Sequence, residues 1–483
     1  FYSANLNNGL RGRFLIAFFF VLGYTFCMTD VDFSRCAGKR VCVALSGGAD
    51  SVALFRIFRE NAEQFQIALS AVNVEHGIRG ESSRADTDFV RSLCTREGIP
   101  LSLFSADIPA LARLSGRGTE EEARLFRLKA FLQVLAEGEA EIVATAHHAG
   151  DNAESVLFNL FRGCALSGAG GIRAFIDAEE LAARFLPADA ERLAPVLSGK
   201  GVARPFLGVT KAEISAYLAR NGLAWREDES NSDPSYTRNF LRGGVLAPAR
   251  EKFPALDKAL YSFSRAARED DEYLYSLARR YYTEGEVCFI DAAAPRPLFL
   301  RACALALRRF GVEKDYTSAN FEEAYSLVFA ENGKTVCLPQ GVLAAREYGR
   351  VAVFRPAEKP AEEYPFGEGA FAFGGGVLLV SRTDTPVFGQ KDTLTIDVAK
   401  LPEGCVLRTR REGDVFTKFG GGTKKLKEFL ADKKIPRRER DGLPVLARGS
   451  EVFAVCGAEI SEKVRVGENA SPCILKFIHK GET

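Results

Sequence analysis

Histidine occurs 4 times, methionine once and tryptophan once in this chain of 483 residues. With so few imidazoles, and no third ligand at metalloprotease spacing beside the pair His147-His148, a zinc hydrolase is not supported. Cysteine is present 11 times, an odd number, and never as C-x-x-C. A disulfide framework, a zinc ribbon and an iron–sulfur site are therefore all poorly supported, and buried thiols in a reducing compartment are the simplest reading. The uncharged run from Phe14 to Met28, behind Arg11 and Arg13, has the shape of a signal-peptide core. It falls short of the ~20 residues a membrane helix needs and carries no small-x-small cleavage site. Residue 1 is Phe and the single Met is residue 28, so Met28 is expected to be the initiator and residues 1–27 a non-native extension. No membrane association is expected. An excess of charge of one sign is also missing: 64 Lys and Arg stand against 63 Asp and Glu. Nucleic-acid binding must therefore be judged from local patches.

What is present is an ordinary globular composition, 47% hydrophobic and 26% charged, with length for two to four domains. Short apolar runs alternate with amphipathic stretches. Val41 to Leu45, Ile67 to Val74, Leu101 to Phe104 and Ile142 to Ala146 read as strands. Val52 to Phe58, Glu81 to Glu97, Glu120 to Leu135 and Asp151 to Phe161 read as helices. That alternation predicts right-handed βαβ units and a parallel sheet, with ligands at the carboxyl ends of its strands. Ala178 to Leu197 is an Ala/Glu-rich helical insertion, Lys211 to Asn221 a further helix, and Ala255 to Tyr282 opens a helical middle block. Arg355 to Gly376, rich in Pro, Glu and Gly, reads as a boundary. Short strands such as Val377 to Val380 and Val452 to Cys456 then surround one helix, Lys424 to Asp432.

The hexapeptide Ser46-Gly47-Gly48-Ala49-Asp50-Ser51 lies between a buried strand and a helix. Its glycines permit a tight turn whose N–H groups face an anion, and the helix N-terminus adds favourable potential. Ser46 and Ser51 can donate hydrogen bonds, while Asp50 points to a Mg²⁺ or an ammonium group nearby. The loop lacks the Lys-Ser/Thr ending of a Walker A motif and the spacing of a dinucleotide fingerprint.

Ser-Gly-Gly-x-Asp-Ser resembles the loop of the N-type ATP pyrophosphatases, the PP-loop superfamily, which implies attack of a substrate oxygen on the α-phosphate of ATP with loss of pyrophosphate. Further stretches resemble the tRNA(Ile)-lysidine synthetases: Val74-Glu75-His76-Gly77-Ile78-Arg79-Gly80; Glu122-Ala123-Arg124 with Arg127; Ala144-Thr145-Ala146-His147-His148 with Asp151, Glu154 and Ser155; and Arg204-Pro205 followed by Asp228, Ser230-Asn231, Arg238-Asn239 and Arg242. Near the C-terminus Gly413-Asp414, Lys424 to Lys427 and Ile435-Pro436 to Pro444 match in the same way. One position departs: Gly150 stands where the family has the first of two acids.

The resemblance implies an α/β fold. It has a parallel-sheet PP-loop ATPase domain (adenine nucleotide alpha hydrolase-like) at 36–245 behind an N-terminal extension at 1–35, a mainly helical middle domain at 246–375, and a small α+β tRNA-binding domain at 376–483. It implies ATP and Mg²⁺ as cofactors, with L-lysine and tRNA(Ile) of CAU anticodon as substrates, in a cytoplasmic enzyme for which a homodimer is open. Asp50, Asp151, Glu154 and Arg124 are the expected catalytic residues. Ser46, Gly47, Gly48, Ala49, Asp50, Ser51, His76 and Arg127 are expected to hold the nucleotide, and Asp50 and Asp151 the metal. Arg204, Arg238, Arg242, Lys424, Lys425, Lys427, Arg437 and Arg440 are expected at the RNA. Supporting this, Cys405 to Val445 holds 12 Lys and Arg against 6 Asp and Glu, a local net of +6. Two other readings stay open: a different adenylating pyrophosphatase, and a catalytically weak tRNA-binding protein, the latter prompted by Gly150.

Overall fold

The computed structural model describes residues 30–77, 81–226, 237–312, 316–356, 363–390 and 392–479. Met28 with residues 1–27, Arg79, Asp228 and Ser230-Asn231 lie outside them. The chain divides into two compact units, Phe1–Asp271 and Glu272–Thr483.

In the first unit the expected strands form, as β1 (Arg40–Ala44), β2 (Ala68–Glu75), β3 (Leu101–Ser105) and β4 (Ile142–Ala144), joined by β5 (Phe175–Asp177) and β6 (Gly201–Ala203). The described strands lie in the order β3-β2-β1-β4-β6-β5, parallel except where β5 runs against β6 at the edge. Side chains alternate between two cores. Val41, Val43, Ile142, Ala144 and Ala203 enter one with α1 (Ala49–Asn61). Cys42, Val72, Val143 and Val202 enter the other with α4 (Thr119–Ala136). Burial on both faces is why these strands read as nearly continuous apolar runs. Between β2 and α4 lie α2 (Glu81–Glu97) and α3 (Ile108–Ser115); α5 (Ala149–Phe161) follows β4. The Ala/Glu-rich insertion becomes two helices, α6 (Ala178–Phe185) and α7 (Ala190–Leu197), packed in the second core. Helix α8 (Lys211–Arg220) packs on the first, where Tyr217 Oη donates to Glu60 at 2.8 Å. The sheet order reverses between β1 and β4, and a doubly wound sheet opens its ligand crevice there.

Helix α9 (Leu256–Ala278) leads toward the second unit. The stretch expected to be mainly helical supplies α10 (Arg296–Arg309) and α11 (Ser318–Ser326), and it also holds an antiparallel sheet. Its strands are β7 (Tyr282–Thr283), β8 (Cys288–Asp291), β9 (Thr335–Cys337), β10 (Leu343–Glu347) and β11 (Arg350–Phe354), in the order β7-β8-β11-β10-β9. Strands of two to five residues show too little period to be read beside the longer helical pattern.

The C-terminal strands form two sheets around one core. One runs β12 (Glu363–Pro365), β16 (Val406–Thr409), β19 (Pro444–Arg448), β20 (Glu451–Val455), β17 (Val415–Thr417), β18 (Thr423–Lys425), with β21 (Glu459–Ile460) on β20. The other runs β13 (Gly369–Phe373), β14 (Gly376–Arg382), β22 (Pro472–His479), β15 (Thr393–Asp397). Leu378, Leu475 and Phe477 meet Leu407, Phe416 and Val452 between them. The single expected helix is α12 (Leu426–Asp432); Lys424 and Lys425, expected within it, are the last residues of β18.

All ten described cysteines are free, and most are buried. Burial pushes the thiols of Cys36, Cys42, Cys303 and Cys456 up to about 12, which leaves them unreactive. No helix among the described residues is long and apolar enough to cross a membrane.

Candidate active site

The loop after β1 is locally determined. Gly47 has φ +89, a left-handed conformation that side chains resist, and Gly48 caps α1 in extended geometry. Ser51 Oγ donates to the Gly48 carbonyl at 2.9 Å, accepts from Ser46 N at 3.2 Å and lies 3.1 Å from Ser46 Oγ. The two hydroxyls thus brace the turn. Asp50, in the first turn of α1, accepts from Lys211 Nζ at 2.5 Å and has His148 Nε2 at 3.9 Å. Lys211 is the first residue of α8, after the Thr210–Glu213 capping box. A cation at a helix N-terminus opposes the macrodipole, and its carboxylate partner offsets that.

The end of β4 faces this loop across the switch point. His148 caps α5: its Nδ1 accepts from Gly150 N at 3.0 Å and Asp151 N at 3.3 Å, and Asp151 Oδ2 accepts from His148 N at 2.9 Å. One imidazole therefore stands between Asp50 and Asp151, and its capping role explains the second His of the motif. His147 is partly buried and holds Thr145 Oγ1 at 2.9 Å. Burial, then Arg204, lowers its pKa to about 4, so it is neutral and not a cationic phosphate ligand. Glu154, one of the expected catalytic residues, is buried beneath Arg242, which forks onto it at 2.6 and 3.0 Å. Arg242, expected at the RNA, is thereby a partner of the active-site helix, and its own pKa is raised by that pairing.

Arg124, Arg127 and Arg204 lie within range of one another's charge. Arg127 and Arg124 stand three residues apart on α4, both exposed. Arg204, at the end of β6, is lowered to about 10 by burial and then by Arg173, Arg124, Arg127 and Arg268. Arg204 Nη1 donates to the Arg173 carbonyl at 2.7 Å, while its buried Nε has no partner among the described residues. His76 follows β2; burial and then Arg127 lower its pKa, and its buried Nδ1 is also unpartnered. Guanidinium groups this near one another, one of them with an unmet donor, are suited to a polyanion.

Gly150 is explained by the cap. A Cβ there would stand 2.8 Å from His148 Cε1 and 3.3 Å from Arg250 Nη2, itself tied to Asp257 at 2.9 Å. Gly150→Asp, which puts back the family's acid, is expected to push His148 off its cap and lower the melting temperature and activity together. A variant at least as active and stable as the parent in paired assays defeats this account. No three His, Cys, Asp or Glu among the described residues converge as a metal site. Mg²⁺ bound with a nucleotide takes one or two carboxylates beside phosphates and waters, and Asp50 and Asp151, on either side of His148, are the carboxylates that would serve.

Comparison with known proteins agrees with this geometry. The PP-loop domain family matches residues 29–249 and the TilS substrate C-terminal domain family matches residues 405–475. A tRNA(Ile)-lysidine synthase of Geobacillus kaustophilus is 32% identical over 438 residues, 85% of this chain and 88% of that one. The chain belongs to the tRNA(Ile)-lysidine synthase family. Relatives of the same name from Symbiobacterium thermophilum and Geobacter sulfurreducens are 32% and 31% identical over 455 residues each, covering 87% and 89% of this chain and 90% and 91% of theirs. The lysidine synthase motifs and the site built here coincide at Ser46 to Ser51, His147-His148, Asp151 and Glu154. Lys211 was not singled out from the sequence, though a lysine directly after the N-cap of a Thr-x-x-Glu capping box is a signal that an anion lies nearby.

The basic C-terminal stretch is less open than its count implies. Arg408 is buried on Asp414, Arg410 pairs with Asp441, Arg411 with Glu363, Lys424 with Asp432 and Lys433 with Glu459. Lys425, Lys427 and Arg437 are exposed and, among the described residues, in no ion pair.

Proposed function

We propose that the chain ligates L-lysine to C2 of the wobble cytidine of tRNA(Ile) with a CAU anticodon, through an adenylated cytidine, as a cytoplasmic enzyme that changes codon reading from AUG to AUA. The observation that carries the reading is the meeting, at one switch point, of the Ser46–Ser51 loop, the carboxylates Asp50 and Asp151 and the arginines Arg124, Arg127 and Arg204.

In the first step the C2 oxygen attacks the α-phosphorus of ATP and pyrophosphate leaves. In the second the lysine ε-amine attacks C2, AMP departs with that oxygen, and the amine loses its proton. The loop N–H groups and the Arg124–Arg127–Arg204 cluster offset charge on the polyphosphate as it separates. Mg²⁺, when bound, adds to that neutralisation and would be held by Asp50 and Asp151 with the phosphates. Asp50 already holds an ammonium, that of Lys211, and a carboxylate that does so is suited to the incoming lysine before its proton is lost. Glu154 acts by fixing Arg242 beside these acids. The target base must leave its stack to reach the crevice, which a loop permits more readily than a duplex.

The test incubates the protein with ATP, radiolabelled lysine and a CAU-anticodon tRNA. Lysine incorporation with one pyrophosphate and one AMP per lysine is expected. Pyrophosphate release without lysine dependence indicates another adenylating enzyme, and tight tRNA binding with neither product overturns the reading.

A further inference from the structure

The second unit holds a cavity of about 340 Å³ lined by Asn332, Gly333, Arg346, Glu347, Tyr348, Arg410, Lys427, Pro436, Arg437 and Arg440. That size is at the low end of ligand sites, roughly 300–1,000 Å³, and suits one sugar-phosphate unit. Five of these side chains are cationic and one is acidic. The acid, Glu347, accepts from Arg438 Nε at 2.9 Å with Arg350 3.9 Å away; its buried Oε2 has no hydrogen-bond partner among the described residues, and burial raises its pKa, which disfavours its negative charge. The walls are tied together. Gly333 N donates to the Arg346 carbonyl at 2.8 Å, Tyr348 N to Asn332 Oδ1 at 2.8 Å, and Arg440 reaches both the Ile435 carbonyl and Tyr348 Oη.

Two donors in this lining are unmet. Arg346 Nη1 and Arg410 Nε are buried and have no hydrogen-bond partner among the described residues, although Arg410 Nη2 donates to Asp441. Arg346 is in no ion pair among the described residues, and neither are Lys427 and Arg437. Buried guanidinium N–H groups without acceptors are costly, and the chemistry that satisfies several at once, with excess positive charge around them, is a phosphate. We propose that this pocket seats a backbone phosphate of the bound tRNA, with Arg346 and Arg410 as its buried donors and Lys427, Arg437 and Arg440 around them. The proposal rests on the tRNA reading above and adds a residue, Arg346, that lies outside the basic stretch at 405–445.

Binding of fluorescent CAU-anticodon tRNA is measured by anisotropy across a salt series for the parent protein, Arg346→Gln, Arg346→Lys and Arg437→Gln. Arg346→Gln is expected to weaken binding about tenfold and to make the slope of log K against log salt shallower by about 1, the signature of one lost phosphate contact, with Arg346→Lys in between. Arg437→Gln, on an exposed side chain, gives the same shallower slope without any change in melting temperature. Binding within twofold of the parent in both Gln variants overturns the proposal, as does weaker binding at an unchanged slope. Calorimetry with inorganic phosphate separates the sources: phosphate uptake that Arg346→Gln abolishes, with tRNA binding unaffected, overturns the RNA assignment in favour of a free-anion site. Lysine incorporation by the parent is scored separately, so an inactive parent counts against the ligase reading, and an active parent with unaltered variants counts against the pocket alone.

Discussion

Asp50→Ala is expected to reduce ATP-dependent pyrophosphate release by a factor on the order of 10² to 10³ while tRNA affinity stays within about twofold. The carboxylate sits in the first turn of α1, beside the phosphate loop, 2.5 Å from Lys211 Nζ and 3.9 Å from His148 Nε2. Its removal leaves the Lys211 ammonium without its acceptor and takes away the carboxylate proposed to receive an ammonium or a metal. The fold is little affected, because Lys211 is about half exposed and such pairs contribute about 0–1 kcal/mol. Asp50→Asn keeps the size and one acceptor oxygen but no charge. It should match the alanine variant if charge is what matters. RNA contacts assigned to the second unit are untouched. Quench-flow or coupled pyrophosphate assays beside tRNA anisotropy decide it: loss of both properties together, or release within tenfold of the parent, rejects this division of labour.

The parallel sheet and its phosphate loop were legible because both are written locally. Val41, Val43 and Cys42 are apolar on both faces of a strand covered twice, and Gly47 stands where φ is +89. The partners of the site residues were not, because charge pairing is a long-range outcome. Lys211 meets Asp50 across 161 residues and Arg242 meets Glu154 across 88. Nothing near either residue in sequence names its partner. Arg242 was expected at the RNA from the resemblance and Arg408 was counted in the basic stretch at 405–445, and neither reading sees the acid opposite. Arg346 escaped notice in the reverse sense, as one arginine in an apolar hairpin that folding brings beside Arg410 and Arg437. The five-stranded sheet at 282–354 was missed because its strands are too short to show period 2 beside helices of nine and fourteen residues.

Arg408 decides the second large effect. Its guanidinium is fully buried, forks onto Asp414 at 2.9 and 2.8 Å, and also donates to the carbonyls of Thr409 and Gly449. Asp414 in turn accepts from Arg411 N at 2.6 Å, closing the turn between β16 and β17. Asp414→Ala removes one charge and leaves the other in the core, which costs about 3–5 kcal/mol, whereas replacing both by apolar residues of similar volume is often neutral. In a unit of this size the single change is expected to lower the melting temperature by on the order of 10 °C. It should also weaken tRNA binding, because Arg410 of the phosphate pocket leaves the same strand end that Arg408 anchors. The double replacement Arg408→Met with Asp414→Leu should recover most of the stability, since the penalty lies in the unpaired charge. Calorimetry on the three proteins discriminates: a single variant within about 1 kcal/mol of the parent, or a double variant no better than the single, shows that the pair does not hold this turn. Recovery of stability together with tRNA affinity in the double variant places the function of Gly413-Asp414 in presenting Arg410, not in touching RNA itself.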